Sequence, residues 1–396
     1  MRELLKWEAL KVWKKNSFWL FFVLIPIVSC ALYTYNYYDS LAQIDLQKER
    51  LEEQLKAVQE DDQTEGSKVF EQETQKQLDS VTNPDDSAVL NDQLEYLDRV
   101  IQGTDYVTSL VMIGEENQII SRNILQLNRD RLGYMLQEKI APQRPLTLAL
   151  PQDYLANFTP NERESYYQLN YKDKNASGLL YVKNFFEHSW GFIFLIVVVF
   201  LLGGTVSNEQ QKGHDHLAFM RLQGISFLKW SVAKRLVNWG YVLFLLVLWF
   251  VPMIVLSLFL GGIGQLNYPV MAYDVSDAAL NYTWMTLGAY DLKALLLLTL
   301  MAWFLVECFT LEGVFIKNGL QIWILSVGII LLGAVLPLHS FNLLSYVKID
   351  QVVTGALNLE RLHDYYSFEK SVLLLISAIV VLSISSLCLL KRRAIR

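Results

Sequence analysis

Apolar residues in this chain gather into six blocks, separated by stretches in which charged residues recur. The blocks cover residues 17–38, 190–206, 236–260, 294–316, 320–336 and 371–390. A helix crosses a hydrocarbon core of about 30 Å with roughly 20 residues, each adding about 1.5 Å. Every block meets that length or comes close, the second and fifth being the shortest. The fourth is interrupted by Glu307 and Glu312, and the sixth carries no charge. The pattern predicts an all-α membrane protein with six transmembrane helices. The first block ends Ile27-Val28-Ser29-Cys30, similar to a lipoprotein cleavage site. The mixed residues before it and the tyrosines after it (Tyr33, Tyr35, Tyr37, Tyr38) predict a retained span instead.

Between the blocks the periodicity changes. Residues 1–16 place Leu5, Ala9, Val12 and Trp13 near one helical face, with Lys6, Lys11, Lys14 and Lys15 mostly elsewhere. That predicts an amphipathic helix lying at the membrane interface. Residues 39–187 form a large insertion after the first block. It opens with a heptad-like run, Leu41, Ile44, Leu51, Leu55 and Val58, which predicts a stalk helix. A polar, acidic loop over 59–88 follows, and helical spacing returns from Leu90 to Ile140 through Leu94, Leu97, Ile101, Ile124, Leu132 and Met135. Pro142, Pro145, Pro151 and Pro160 then punctuate an irregular stretch. The remaining connections are 207–235, 261–293 and 337–370, with a tail at 391–396. The Gly- and Tyr-containing 261–293 segment, with Trp284, suits a re-entrant or interface-lying loop.

Charge orients the helices. Lys and Arg near span ends favour the cytoplasmic side, whereas long translocated domains are exempt from the rule. Five such residues precede the first block and five lie in 207–235. Lys317 follows the fourth block, and Lys391, Arg392, Arg393 and Arg396 close the chain. The opposite short loops hold Lys348, Arg361 and Lys370, with Lys293 at a span edge. Both termini are therefore expected in the cytoplasm, and residues 39–187 outside. That insertion holds 15 Lys/Arg against 27 Asp/Glu, so the net charge of −6 conceals a basic cytoplasmic face. Such a face suits anionic lipid headgroups, and nothing in the pattern suggests nucleic acid.

Several chemistries are missing. The chain contains no G-x-x-x-x-G-K-[S/T], no H-E-x-x-H and no G-x-S-x-G motif. His214 and His216 flank Asp215, but residues two apart on a helix point in nearly opposite directions. No metal, cofactor or catalytic set is expected on this chain. Cys30, Cys308 and Cys388 all lie in apolar blocks and read as packing residues.

The connection after the second block reads Gly203-Gly204-Thr205-Val206-Ser207-Asn208-Glu209-Gln210-Gln211-Lys212-Gly213, continuing through Leu217, Arg221 and Gly224 to Lys234. It resembles the permease subunit of a type-2 ATP-binding-cassette (ABC) exporter. In that family a Ser-x-Glu-x-x-x-Gly pattern ends the second span, a coupling helix follows, and a Lys opens the third span. Ser207, Glu209, Gly213 and Lys234 match, whereas Gly224 stands where the family often has Pro. The six-span layout, interfacial N-terminal helix and large insertion extend the likeness over nearly the whole chain.

The resemblance implies a bacterial plasma-membrane permease that pairs with a second copy or a paralogue and is seated on cytoplasmic ABC ATPase subunits. ATP and Mg would be held by those ATPases. Ser207, Glu209, Gly213, Leu217, Arg221 and Lys234 would couple them to the spans, and the cargo would be an amphipathic peptide, antimicrobial or lipid-like compound. Glu209 either fixes the coupling helix through an ion pair or hydrogen bond, or is a solvated carboxylate at a span end. Sodium extrusion is an alternative, as is a membrane sensor whose acidic ectodomain binds a ligand without transport.

Glu307 stands apart from these. Thirteen uncharged residues, Ala294 to Val306, precede it, about 20 Å of helix. A mid-span acid costs about 2.5–3.5 kcal/mol on insertion scales, so something must offset it. It either faces the interior and contacts substrate, a cation or a neighbouring helix, or it snorkels toward the cytoplasm or is protonated against a neighbour.

Overall fold

The computed structural model describes residues 1–60, 71–72, 74–75, 78–79, 87–103, 108–113, 116–120, 122–140, 177–203, 205, 226–276, 279–316, 318–335, 343–359 and 366–395. In chain order these form α1 (Arg2–Trp13), α2 (Asn16–Glu60), α3 (Ser87–Gly103), β1 (Thr108–Ile113), β2 (Glu116–Ile120) and α4 (Arg122–Gln137). Next come α5 (Gly178–Glu187), α6 (Gly191–Leu202), α7 (Phe227–Ser257), β3 (Pro269–Ser276), β4 (Ala279–Thr286) and α8 (Leu287–Phe315). The chain ends with α9 (Gly319–Val335), a 3₁₀ turn (Leu343–Val347), α10 (Ile349–Thr354), α11 (Ala356–Leu359) and α12 (Phe368–Ile395).

Among the described residues four helices are long and apolar enough to cross a membrane: Asn16–Ala42, Leu228–Ser257, Leu287–Phe315 and Phe368–Arg392. The pair α5 and α6, bent by 80°, supplies a fifth if counted as one broken span. The chain is a mainly helical, multi-pass membrane protein. Its outer faces fit that solvent: Leu20, Val23 and Ile27 on α2, Leu243, Val247 and Val251 on α7, and Val380, Val381 and Ile384 on α12 all point outward. On a soluble protein such stripes would be an aggregation hazard, but against lipid tails they cost nothing. α8 is the exception. Its residues are buried along almost the whole length, from Leu287 to Val314, so the other helices surround it.

The boundaries move for identifiable reasons. The span expected from 236 begins as helix at Phe227, because Phe227, Leu228, Trp230, Val232 and Ala233 keep the run apolar around its cations. The second block does not stand as one straight span. α5 precedes it, and the polar step His188-Ser189 breaks the helix, with Ser189 in the left-handed region at φ +58°. Ser177 caps the start of α5 by accepting from the Leu180 amide at 3.4 Å. The stalk predicted after the first block continues α2 without interruption to Glu60.

Beyond the spans, α3 and α4 bury Leu90, Leu97, Ile124, Leu132 and Met135, the apolar face read from their spacing. The helical run expected between Leu90 and Ile140 is interrupted by the antiparallel hairpin β1–β2, where Thr108, Val111, Ile113, Ile119 and Ile120 favour extended backbone. The 261–293 segment is likewise a hairpin rather than a re-entrant loop. β3 and β4 pair in register from Pro269↔Thr286 to Ser276↔Ala279, and Tyr273 faces Tyr282 with ring centroids 6.1 Å apart. Val270 and Ala272 bury the inner face. Alternation, not helical spacing, is the period here.

Gly355 seats this hairpin on the short helices α10 and α11. Its φ is +80°, and a Cβ there would lie 2.2 Å from the Tyr273 carbonyl oxygen on β3. Backbone cannot move aside as a side chain does. Gly355→Ala is expected to destabilise the purified protein by about 1–3 kcal/mol or more, read as a lowered thermal unfolding midpoint in detergent.

Candidate functional site

The most intensely polar point inside the bundle is an ion pair between α7 and α8. Glu307 is fully buried at 0% exposure, and Arg235 Nε donates to both of its carboxylate oxygens, at 3.0 and 3.2 Å. The rest of the guanidinium is also used. Nη1 donates to Ser231 Oγ one turn earlier on α7, and Nη2 donates to Ser386 Oγ and, at 3.2 Å, to the Ser383 carbonyl of α12. One side chain therefore joins three helices. An arginine suits this position because its planar fork offers five donors and stays charged when buried.

The antiparallel course of α7 and α8 extends the contact. Four residues on from Arg235 and four back from Glu307, Trp239 and Trp303 stack at 4.9 Å with an interplanar angle of 19°. Glu312, expected near the interface, accepts from Ser326 Oγ of α9 at 3.0 Å. Both acids of the fourth block thus meet neighbouring helices. For Glu307, the neighbouring-helix contact among the sequence alternatives is the one present.

A second polar zone gathers at the end of the bundle where α1 lies. Lys234 is 5% exposed and donates to the Thr205 carbonyl at 2.8 Å, just past the end of α6. Lys15 reaches the Leu201 carbonyl at 3.4 Å. Cations beside the unpaired carbonyls of a helix C-terminus are favoured both by hydrogen bonding and by the helix dipole. Lys234 also sits 5.2 Å from the Trp230 ring centroid, and the Trp230 indole donates to Glu8 Oε1 at 3.1 Å. Glu8 in turn pairs with Lys11 at 2.9 Å, and Tyr241 donates to the Ala9 carbonyl at 2.9 Å. The face of α1 turned to α7 centres on Glu8 and Val12, while Trp13 turns outward against Trp19.

Of the residues singled out from sequence, Lys234 and Glu307 are placed, at the span ends and the bundle interior respectively. Ser207, Glu209, Gly213, Leu217 and Arg221 lie outside the described residues. Arg235 enters the charge count as one more flanking cation beside Lys234, and Ser231 one turn before it is the local sign of its inward-facing position. Cys30, Cys308 and Cys388 are free thiols. Among the described residues no three His, Cys, Asp or Glu side chains converge to hold a metal ion. No family model matches the chain, and no curated protein or solved structure is similar to it.

Removing one partner of a buried pair leaves the other charge uncompensated, which costs about 3–5 kcal/mol. Arg235→Met and Glu307→Leu alone should each lower the unfolding midpoint sharply. The double substitution should recover most of the loss, because apolar pairs of similar volume replace such ion pairs at little cost. Additive losses in the double variant would show that the two side chains do not act on each other.

Proposed function

We propose that the chain is the membrane subunit of an ATP-driven exporter, with α2, the bent pair α5–α6, α7, α8, α9 and α12 as its six spans. The single observation that carries this reading is the contact between Lys234 and the end of α6. Lys234 is the residue that the resemblance to type-2 ABC permeases places at the start of the third span. Its bond to the Thr205 carbonyl ties α7, two turns in from its start, to the chain just before the 206–225 segment. A partner pushing on that segment would then act on α6 and α7 together, and through Arg235 on α8 and α12.

The assignment of sides follows from charge. Arg2, Lys6 and Lys14 stay exposed on and beside α1, which suits a helix resting on anionic headgroups of the cytoplasmic leaflet. α9 is 17 residues, about 26 Å of helix, and completes the sixth crossing with some local thinning. On this reading both termini and the 206–225 segment face the cytoplasm of a bacterial cell, and α3, β1–β2 and α4 belong to an extracellular domain. ATP and Mg sit on cytoplasmic ATPase subunits, a second permease copy or paralogue completes the pathway, and the cargo is an amphipathic peptide, antimicrobial or lipid-like compound.

Co-expression with a partner ABC ATPase and reconstitution in liposomes tests this directly. ATPase activity is expected to depend on the chain, and Glu209→Ala should reduce co-purification of the ATPase several-fold without lowering the amount of chain in the membrane. If no ATPase associates, or if reporters at residues 209–225 map to the same side as residues 61–86, the proposal is wrong.

A further inference from the structure

The first turn of α8 holds a second charged cluster that the exporter reading leaves unused. Asp291 is 6% exposed, and neither of its carboxylate oxygens has a hydrogen-bond partner. The charged groups around Tyr290 and Asp291 are Lys183 and Glu187 of α5 and Asp350 of α10. Lys183, also 6% exposed, is ion-paired with Glu187 and lies 5.7 Å from the Tyr290 ring centroid. Tyr290 is fully buried and donates to Asp350 Oδ1 at 2.7 Å. Lys183 is the charge within electrostatic reach of Asp291, while Asp350, Glu187 and Asp291 all act on the Tyr290 hydroxyl. Other basic groups nearby turn elsewhere. Lys293 packs 5.1 Å from the Phe368 ring of α12, and the His188 ring meets the Asn184 carbonyl of its own segment at 2.9 Å.

Lys183 is therefore the ammonium that Asp291 can draw on, and it is already engaged by Glu187. An ionised carboxylate with no protein donor is a poor occupant of such a buried place. A metal ion would need several ligands in one coordination sphere, and the described residues offer no such group. A proton needs only one carboxylate.

We propose that Asp291 is a proton-binding site whose occupancy sets the partner of Lys183. With the proton on Asp291, Lys183 pairs with Glu187. When the Asp291 O–H bond breaks and the proton leaves to water, the Lys183 ammonium crosses to the new carboxylate. Glu187, whose side chain is 19% exposed against 7% for Lys183, loses that pair. Glu187 is also the last residue of α5, directly before the break at His188 and Ser189. The exchange is thereby felt at the 80° bend. None of this depends on ATPase coupling.

A hydrophobic carbodiimide modifies protonated carboxyls that are shielded from water. The full chain in liposomes should be treated with dicyclohexylcarbodiimide between roughly pH 5 and pH 10, with modification of Asp291 quantified by peptide mass spectrometry. Strong modification at the acidic end is expected, falling about tenfold per pH unit above a midpoint. Lys183→Met should move that midpoint upward, since the cation that stabilises the carboxylate is gone. The wild-type profile stands by itself should that variant fail to fold. No modification of Asp291 at any pH, or modification that does not vary with pH, overturns the proposal. So does protection by added sodium at fixed pH, which would give the site to a metal cation.

Discussion

A carboxylate with no exposure, in the most buried of the four long helices, determines much of how this bundle is assembled. Glu307 cannot reach water, because it lies on the buried stretch of α8 between Phe304 and Thr310. Its charge must be met from a neighbouring helix, and Arg235 of α7 meets it. The guanidinium then brings its own demand, since its remaining donors are also removed from water. Ser231, Ser383 and Ser386 satisfy them, and two of these belong to α12. Each buried charge thus recruits the next helix. The gain is in register rather than in net stability, because a buried ion pair barely repays its desolvation but penalises any arrangement that separates it. A slip of α7 by one turn would set Ser231 or Trp239 opposite Glu307 instead of a cation and would part Trp239 from Trp303.

The same requirement governs the end of the bundle near α1. A short helix such as α6 ends with carbonyls that have no partner in the helix, and lipid offers none. Lys15 and Lys234 come from two different segments to supply donors there. Glu8, buried at 3%, would be costly without Lys11 and the Trp230 indole. These contacts qualify the charge count on which the proposed orientation rests. Lys11, Lys15, Lys234 and Arg235 all serve internal bonds, so only part of the basic excess is free to meet lipid. Insertion is still biased by all of them, since the sorting of cations precedes the packing that later buries them.

How much was legible in the sequence follows from the range of each signal. The long spans rest on runs of apolar residues within one segment, and they are visible at once. So are the stalk of α2 and the apolar faces of α3 and α4. The bend before α6 is hidden because Lys183, Asn184 and Glu187 interrupt the apolar run of α5, so the segment reads with the acidic insertion rather than with the span. The β3–β4 hairpin is hidden because Tyr, Trp and Val serve equally at a membrane interface and in a strand, and β1–β2 because its strands are short and lie between two helical runs; in both, only the partner strand decides. Glu307 was recognised as anomalous from position alone. Its partner was not, because Arg235 sits beside Lys234 and the two look alike in a list of flanking charges. In space they diverge, one turning to the end of α6 and the other into the core. The cluster at Asp291 draws on three separated segments, and no local pattern announces it.

α8 is the element through which these local solutions communicate. Asp291 and Glu307 are sixteen residues apart on it, about 24 Å along a single helix without a break. Its first turn is not a free end. The Leu287 and Gly288 amides donate to the Tyr268 and Leu266 carbonyls, each at 2.8 Å, and Thr286 caps the helix by accepting from the Ala289 amide at 3.3 Å. β4 runs directly into that cap, and Trp284 on β4 donates to the Leu127 carbonyl of α4 at 3.2 Å. No flexible connection separates α4 from the central helix. A displacement at the insertion must either be absorbed by bending β4 or be delivered to α8, and a two-stranded ribbon clamped by Gly355 against Tyr273 has little freedom to bend. Whatever reaches α8 acts on a rod fixed at its far end by Arg235, so the helices that share that arginine, α7 and α12, must follow it or lose the pair.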